Sequence, residues 1–242
     1  MSTYVYGITD GERTRLPEGL TGIGEPPRPV RLVTDSGLAA VVSDCPEGLR
    51  PKRRDLLAHQ QVLSEAGRKS AVLPMRFGSV CDSDDDVVQV LSRYAERYRS
   101  TLERLSGRVE YNVKAVHHEE TVLHVVLAEN AELRALAEAN RRAGGGTYED
   151  RLRFGEMVAE AVRSREAWDA DLVRDTLEPL AEGCRTGPES GGWFLSLSFL
   201  VAEPAAEVLL TTVERLCRAH PQLDLKVTGP LPPYSFVDFV DS

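Results

Sequence analysis

Apolar residues recur along this chain with two different periods, and the switches between them mark out its elements. Tyr4-Val5-Tyr6-Gly7-Ile8 is aromatic and β-branched and predicts a first strand. Residues 9–29 are rich in Gly, Pro and charge and read as a loop. Two apolar runs, 30–34 and 38–43, flank Asp35-Ser36-Gly37, a strong hairpin signal. Residues 55–66 follow a helical period, with Leu56, Leu57, Val62 and Leu63 on one side and His59 and Gln60 near its edge. A strand is then expected over 72–77, where Pro74 restricts it to a sheet edge, a strand start or a bulge. Alternation would point Arg76 away from Met75 and Phe77. Arg76 therefore reads as a partly buried tie to a carboxylate or carbonyl, with a recognition surface as the other reading. Gly78 permits a positive φ where the chain leaves the strand.

Ser83 followed by Asp84, Asp85 and Asp86 starts a helix, because carboxylates in a first turn meet free N–H groups and the positive end of the dipole. Its period runs unbroken to Leu105 and stops at Gly107. Residues 109–116 alternate as a half-buried strand, with Tyr111, Val113 and Ala115 on the apolar side and Glu110 on the polar side. Residues 118–127 are taken as a helix, although 122–126 also fits a strand; 131–142 is a second helix. Thr147 caps a long helix reaching about Glu182, roughly 50 Å, lined by Leu152, Val158, Ala161, Val162, Trp168, Leu172 and Leu180. A buried strand over 193–202, a helix opened by Pro204 and a strand over 223–228 follow. In that helix Val208, Leu209, Val213, Leu216 and Cys217 are expected to pack inward. The expected class is α+β, in two domains of 1–107 and 108–242 with modified ferredoxin-like elements. Each would be an antiparallel sheet with helices on one face. In the final stretch, Leu231, Tyr234 and Phe236 are expected to pack back onto the chain, near the junction of the two domains.

Charge and chemistry narrow the possible functions. The net charge of −9 opposes a nucleic-acid partner, because phosphate would be repelled. Arg50-Pro51-Lys52-Arg53-Arg54 is a short basic cluster that reads as a solvated helix entry. The longest apolar run is too short to span a bilayer, and the N-terminus carries no signal-peptide pattern, so the chain reads as soluble and intracellular. Cys45, Cys81, Cys184 and Cys217 lie far apart and form neither a zinc motif nor a disulfide framework. His117 and His118 would point to opposite sides of a strand end, so a metal site is not expected there. Gly144-Gly145-Gly146-Thr147 lacks the Lys and the preceding strand of a phosphate loop. No catalytic constellation, cofactor site or metal site is predicted, which leaves a protein that binds.

The sequence also resembles a known family. His59-Gln60-Gln61-Val62-Leu63, then Leu73-Pro74-Met75-Arg76-Phe77-Gly78, is similar to the signature of the gas vesicle protein F/L family. Tyr4-Val5-Tyr6-Gly7-Ile8, Leu38-Ala39-Ala40-Val41-Val42-Ser43, Glu110-Tyr111-Asn112-Val113-Lys114 and Gly229-Pro230-Leu231-Pro232-Pro233-Tyr234-Ser235-Phe236 match as well, so the resemblance covers essentially the whole chain. It implies an accessory or minor structural protein of gas vesicles, cytoplasmic or on the vesicle, without enzymatic activity. The implied partners are the major shell protein and other vesicle proteins, and no nucleic acid or membrane. The residues it singles out are Leu73, Pro74, Arg76, Phe77, Gly78, Pro233, Tyr234 and Phe236. The competing reading is a regulatory or enzymatic α+β protein with a small-molecule pocket around Arg76 and His59.

Overall fold

The aromatic and β-branched start of the chain forms the strand on which the first sheet is built. In the computed structural model, which describes residues 2–68, 70–187 and 192–237, this strand is β1 (Thr3–Asp10), buried at every position but the last. β2 (Arg31–Asp35) and β3 (Leu38–Asp44) are the expected hairpin, and β3 pairs antiparallel with β1. Their two-residue loop has positive φ at both Ser36 (52°) and Gly37 (76°), the twist that matches right-handed strands. β4 (Val72–Pro74) and the short β5 (Val80–Cys81) both pair with β1, so the sheet order is β2-β3-β1-β4 with β5 off the path.

α1 (Arg53–Ala66) packs on β1 and β4. Its inward face is Asp55, His59, Val62, Leu63 and Ala66; Val62 and Leu63 are buried as expected, but Leu56 and Leu57 are 43% and 55% exposed. Tyr4 and Tyr6 share the α1 side of the sheet. Thr3, one step along, points to the other side and donates to Asp84 at the start of α2 (2.6 Å). The expected single helix over 84–105 is two, α2 (Asp84–Arg93) and α3 (Ala95–Leu105). Tyr94 leaves helical geometry at φ −113°, ψ 19° between them. Its N–H still reaches Val90 and its carbonyl still accepts from Tyr98, so the break is a kink. Arg31 ties β2 to β3 through Asp44 (3.0 Å) and to α2 through Asp84 (2.9 Å).

The second sheet is antiparallel in the order β7-β8-β6-β9: β6 (Arg108–His117), β7 (Gly183–Thr186), β8 (Leu195–Ala202) and β9 (Leu223–Leu231). β7 was not expected; its Gly, Cys and Arg carry no apolar alternation, and only the register with β8 makes it a strand. With it go α4 (Glu119–Glu129), α5 (Ala131–Arg142), α6 (Tyr148–Leu177) and α7 (Ala206–Ala219). α6 is closed by a capping box in which Thr147 and Asp150 satisfy each other's backbone N–H groups. Its buried residues are Asp169, Val173 and Leu177, whereas Leu152 and Trp168, expected on its packing face, are each 52% exposed. Val208 of α7, also expected to pack inward, is exposed.

The chain divides into two compact units, Met1–Glu110 with the stretch from Pro230 on, and Tyr111–Gly229. Residues 230–237 therefore group with the first unit, while the sequence-based division at 107/108 put them with the second. The acidic residues 238–242 lie outside the described ones.

Candidate functional site

The singled-out residues fall at an interruption in the sheet. Gly7 pairs with Pro74 and Tyr4 with Val80, so two residues of β1 (5 and 6) lie opposite five of the other chain, 75–79. The surplus is a bulged turn. Ser79 N–H and its hydroxyl both donate to Arg76 O (3.1 and 2.8 Å), and Gly78 supplies φ +95° at its third position. Pro74, which has no N–H to give, lies on the outer strand. Leu73 pairs with Ile8 and is fully buried. Gly7 is required opposite them: a Cβ there would lie 2.7 Å from both Leu63 Cδ2 and Leu73 O.

The expected strand over 72–77 thus stops at Pro74. Met75 N–H still donates to Tyr6 O (2.8 Å), but pleated alternation ends there. Arg76 sits exposed on the turn, not partly buried within a strand.

Both ends of the turn are held by two side chains from elsewhere. The Met75 carbonyl can only accept, so His59 Nε2, 3.1 Å away, carries the ring hydrogen. His59 is 4% exposed, and burial lowers its imidazole to about 4, so the ring is neutral. Its bare Nδ1 accepts from the Tyr4 hydroxyl (2.8 Å), whose oxygen in turn accepts the Gly78 N–H (3.3 Å). Tyr4 and His59 therefore close a chain of hydrogen bonds from Gly78 back to Met75. Phe77 completes the cluster edge-on to Tyr4 and His59, with centroids at 5.8 and 5.9 Å. Tyr6 lies alongside, its hydroxyl taking the Ile23 N–H (2.9 Å) and meeting Ser43 Oγ (3.0 Å). Burial pushes both tyrosines up from their ordinary range.

The last family motif reaches the same cluster. Tyr234 packs against the core that contains Tyr4, Tyr6, Val62 and Leu63, and burial pushes its phenol up to about 12. Pro233 and Phe236 are buried. Glu110, 1% exposed, accepts from the Ser235 N–H (2.8 Å) and hydroxyl (2.7 Å), and Arg104 donates to Phe236 O (2.8 Å). Strand alternation placed Glu110 on the polar side of its strand. Nothing local signals that a segment 125 residues later buries it.

A second polar centre was also missed. Asp169 of α6, 0% exposed, accepts from Arg165 through two nitrogens (both 3.0 Å), from His117 Nε2 (2.8 Å) and from Gln222 (3.2 Å). These donors hold its carboxyl below the usual range against its own burial. The only local signal is the i,i+4 spacing of Arg165 and Asp169. His118, by contrast, is the exposed-side start of α4, its N–H donating to Gln222 O. Among the described residues no group of three or more His, Cys, Asp or Glu is placed to hold a metal ion. Of the amides after Gly146, those of Thr147 and Asp150 are taken by the capping box, and the Asp150 carboxylate already occupies the helix start where an anion would sit.

At His59 both ring nitrogens are engaged internally, so the arrangement offers a ligand no free group, and the small-molecule reading has no support. What the arrangement does is hold a turn in place and seat the final segment of the chain.

Comparison with known proteins agrees with this architecture. The family described as "Gas vesicle synthesis protein GvpL/GvpF" matches residues 2–238. The chain is 56% identical to gas vesicle protein F of Streptomyces sp. (strain CB03234), over 98% of this chain and 100% of that one. It is 29% identical to gas vesicle protein L of the same strain, over 98% and 93%. The crystal structure of GvpF from Anabaena sp. PCC7120 superimposes with a TM-score of 0.76 at 22% identity, covering 99% of both chains. That of GvpF from Microcystis aeruginosa gives 0.71 at 24% identity, over 97% and 98%.

Proposed function

The chain belongs to the gas vesicle GvpL/GvpF family, and on that premise we propose that it serves gas vesicle assembly, or is a minor vesicle component, by contacting the shell protein and other vesicle proteins. The observation that carries this reading is where the chemistry of the motif residues goes. Tyr4, Tyr6, His59 and Glu110 each make internal hydrogen bonds, so these residues build a scaffold and do not face a substrate. On such a scaffold, recognition falls to surfaces. A shell subunit that must bury apolar area in the finished wall is prone to aggregate before it does so. A partner with a net charge of −9 stays dispersed while it offers a docking face. No helix of the described residues is long and apolar enough to cross a membrane.

The test is pairwise co-expression with each vesicle protein of the same cluster, the shell protein first, together with deletion of this gene. We expect stable co-purification with at least one vesicle protein and loss or malformation of vesicles in the deletion strain. Normal vesicles without the gene, and no vesicle protein retained, would overturn the reading.

A further inference from the structure

The second unit carries a surface whose chemistry specifies a partner. α4, the start of α5 and α6 enclose a cleft of about 1160 Å³, larger than the roughly 300–1,000 Å³ of most small-ligand sites. Along its α6 wall run Met157, Ala161, Ser164 and Trp168, spaced by four, three and four residues. That is the 3–4 spacing by which one helix receives another. Ala161 and Ser164 leave a shallow centre between two large side chains, and Val126 and Ala131 face them from α4 and α5. Trp168 is 52% exposed yet held in place: the Arg165 guanidinium stacks 4.2 Å from its ring centre, and Arg165 is itself fixed by Asp169 and by Glu129 (2.8 Å). An exposed aromatic with its orientation already set loses little entropy when a partner covers it.

The rim is acidic. Glu129, Glu132 and Glu160 line it, with Asp169 beneath, against Arg165 within the site and Arg163 paired with Glu160. Three rim carboxylates against the guanidinium groups of Arg165 and Arg163 leave a negative rim around an apolar floor, the buried Asp169 being engaged by Arg165.

We propose that this cleft receives an amphipathic helix of a partner protein, one whose narrow apolar stripe is flanked by Lys or Arg. The proposal deepens the assembly reading by naming the docking face and the chemistry of what docks, and it rests on that reading. A second copy of this chain is disfavoured as occupant by its own net charge of −9. The helix-in-groove mode places its apolar anchors around Trp168 and its cations against Glu132 and Glu160.

The experiment uses the full chain with Trp193→Phe, which leaves Trp168 as the only reporter of the two tryptophans. The probes are two synthetic helical peptides of about 15 residues with leucines at 3–4 spacing, one flanked by lysines and one by glutamates. We expect the lysine peptide to shift Trp168 emission saturably and to bind at least about tenfold tighter than the glutamate peptide, with the difference shrinking in high salt. Glu132→Lys and Ala161→Arg, both at partly or fully exposed positions, should each weaken it by about tenfold while circular dichroism stays unchanged. Equal binding of the two peptides, no binding, or binding indifferent to both substitutions would overturn the proposal. So would concentration-dependent self-association that Ala161→Arg abolishes, because the occupant would then be a second copy. In the deletion strain, Ala161→Arg that restores normal vesicles would overturn the cleft as the working surface while leaving the assembly role standing. Failure of the native gene to matter there would instead overturn the assembly role.

Discussion

His59 is where the chain's stability should respond to acid. The folded imidazole is lowered to about 4 by burial, whereas in the unfolded chain it returns to about 6.5. Above the unfolded value neither state binds a proton, and His59 contributes its full share. As pH falls through 6.5 the unfolded chain takes up a proton that the folded ring refuses, so stability drops until about pH 4, where the folded ring also protonates. The shift corresponds to about 3 kcal/mol at most. His59→Phe keeps an aromatic ring but removes both hydrogen bonds, leaving Met75 O without this donor and the Tyr4 hydroxyl without its acceptor. That should cost about 2–4 kcal/mol near neutral pH. The assay is urea unfolding followed by far-ultraviolet circular dichroism at several pH values, for both proteins. Carboxylates titrate in both, so the informative quantity is the difference: the native protein should lose its advantage over His59→Phe as pH falls from 6.5 to 4. Parallel pH profiles would refute the reasoning, because they would show that His59 is neither neutral nor buried in the folded state.

Removing everything after Gly229 should lower the melting temperature of the first unit, since it strips Tyr234 and Phe236 from their core and leaves Glu110 buried without Ser235; rapid protease trimming of an equally stable protein would contradict this. Asp169→Asn should destabilise the second unit by about 3 kcal/mol in thermal melts, because it removes the buried counter-ion of Arg165 and leaves it only the exposed Glu129; an unchanged melt would show that Glu129 alone suffices. Arg76→Ala should cost under about 1 kcal/mol, as for other exposed charged side chains, whereas a larger loss of stability would restore the buried-tie reading drawn from strand alternation.

The elements legible in the sequence are those whose signal is local. The Ser36-Gly37 hairpin, the Ser83 and Thr147 helix starts and the α4–α5 pair follow from turn chemistry, caps and period, all written within a few residues. What could not be read depends on partners distant in the chain. β7 is a strand only because β8 pairs with it, and Leu56 and Leu57 are exposed because the sheet meets α1 on the His59 side. Leu152, Trp168 and Val208 sit at apolar helical positions, yet no neighbour among the described contacts covers them fully. Apolar period says which side of a helix can be buried, not that something arrives to bury it.

The motif around Arg76 shows how far a local reading can carry. Val72, Leu73 and Pro74 form a strand, as their residue types suggest, and the error begins one residue later. Extending alternation through Arg76 assumed that the partner strand advanced in step, and it does not: two residues of β1 face five of the other chain. Such a bulge survives only if its free backbone groups are satisfied. His59 and Tyr4 do this from 16 and 74 positions away in the chain, at Met75 and Gly78. The Tyr-Val-Tyr-Gly, His-Gln-Gln and Leu-Pro-Met-Arg-Phe-Gly stretches are therefore one structural device split over three places in the sequence. One strand supplies the hydroxyl, one helix supplies the imidazole, and one turn is held between them. With Tyr4 and His59 engaged internally, these stretches account for a fold rather than a binding face, and the acidic cleft beside Trp168 is the surface we propose for recognition.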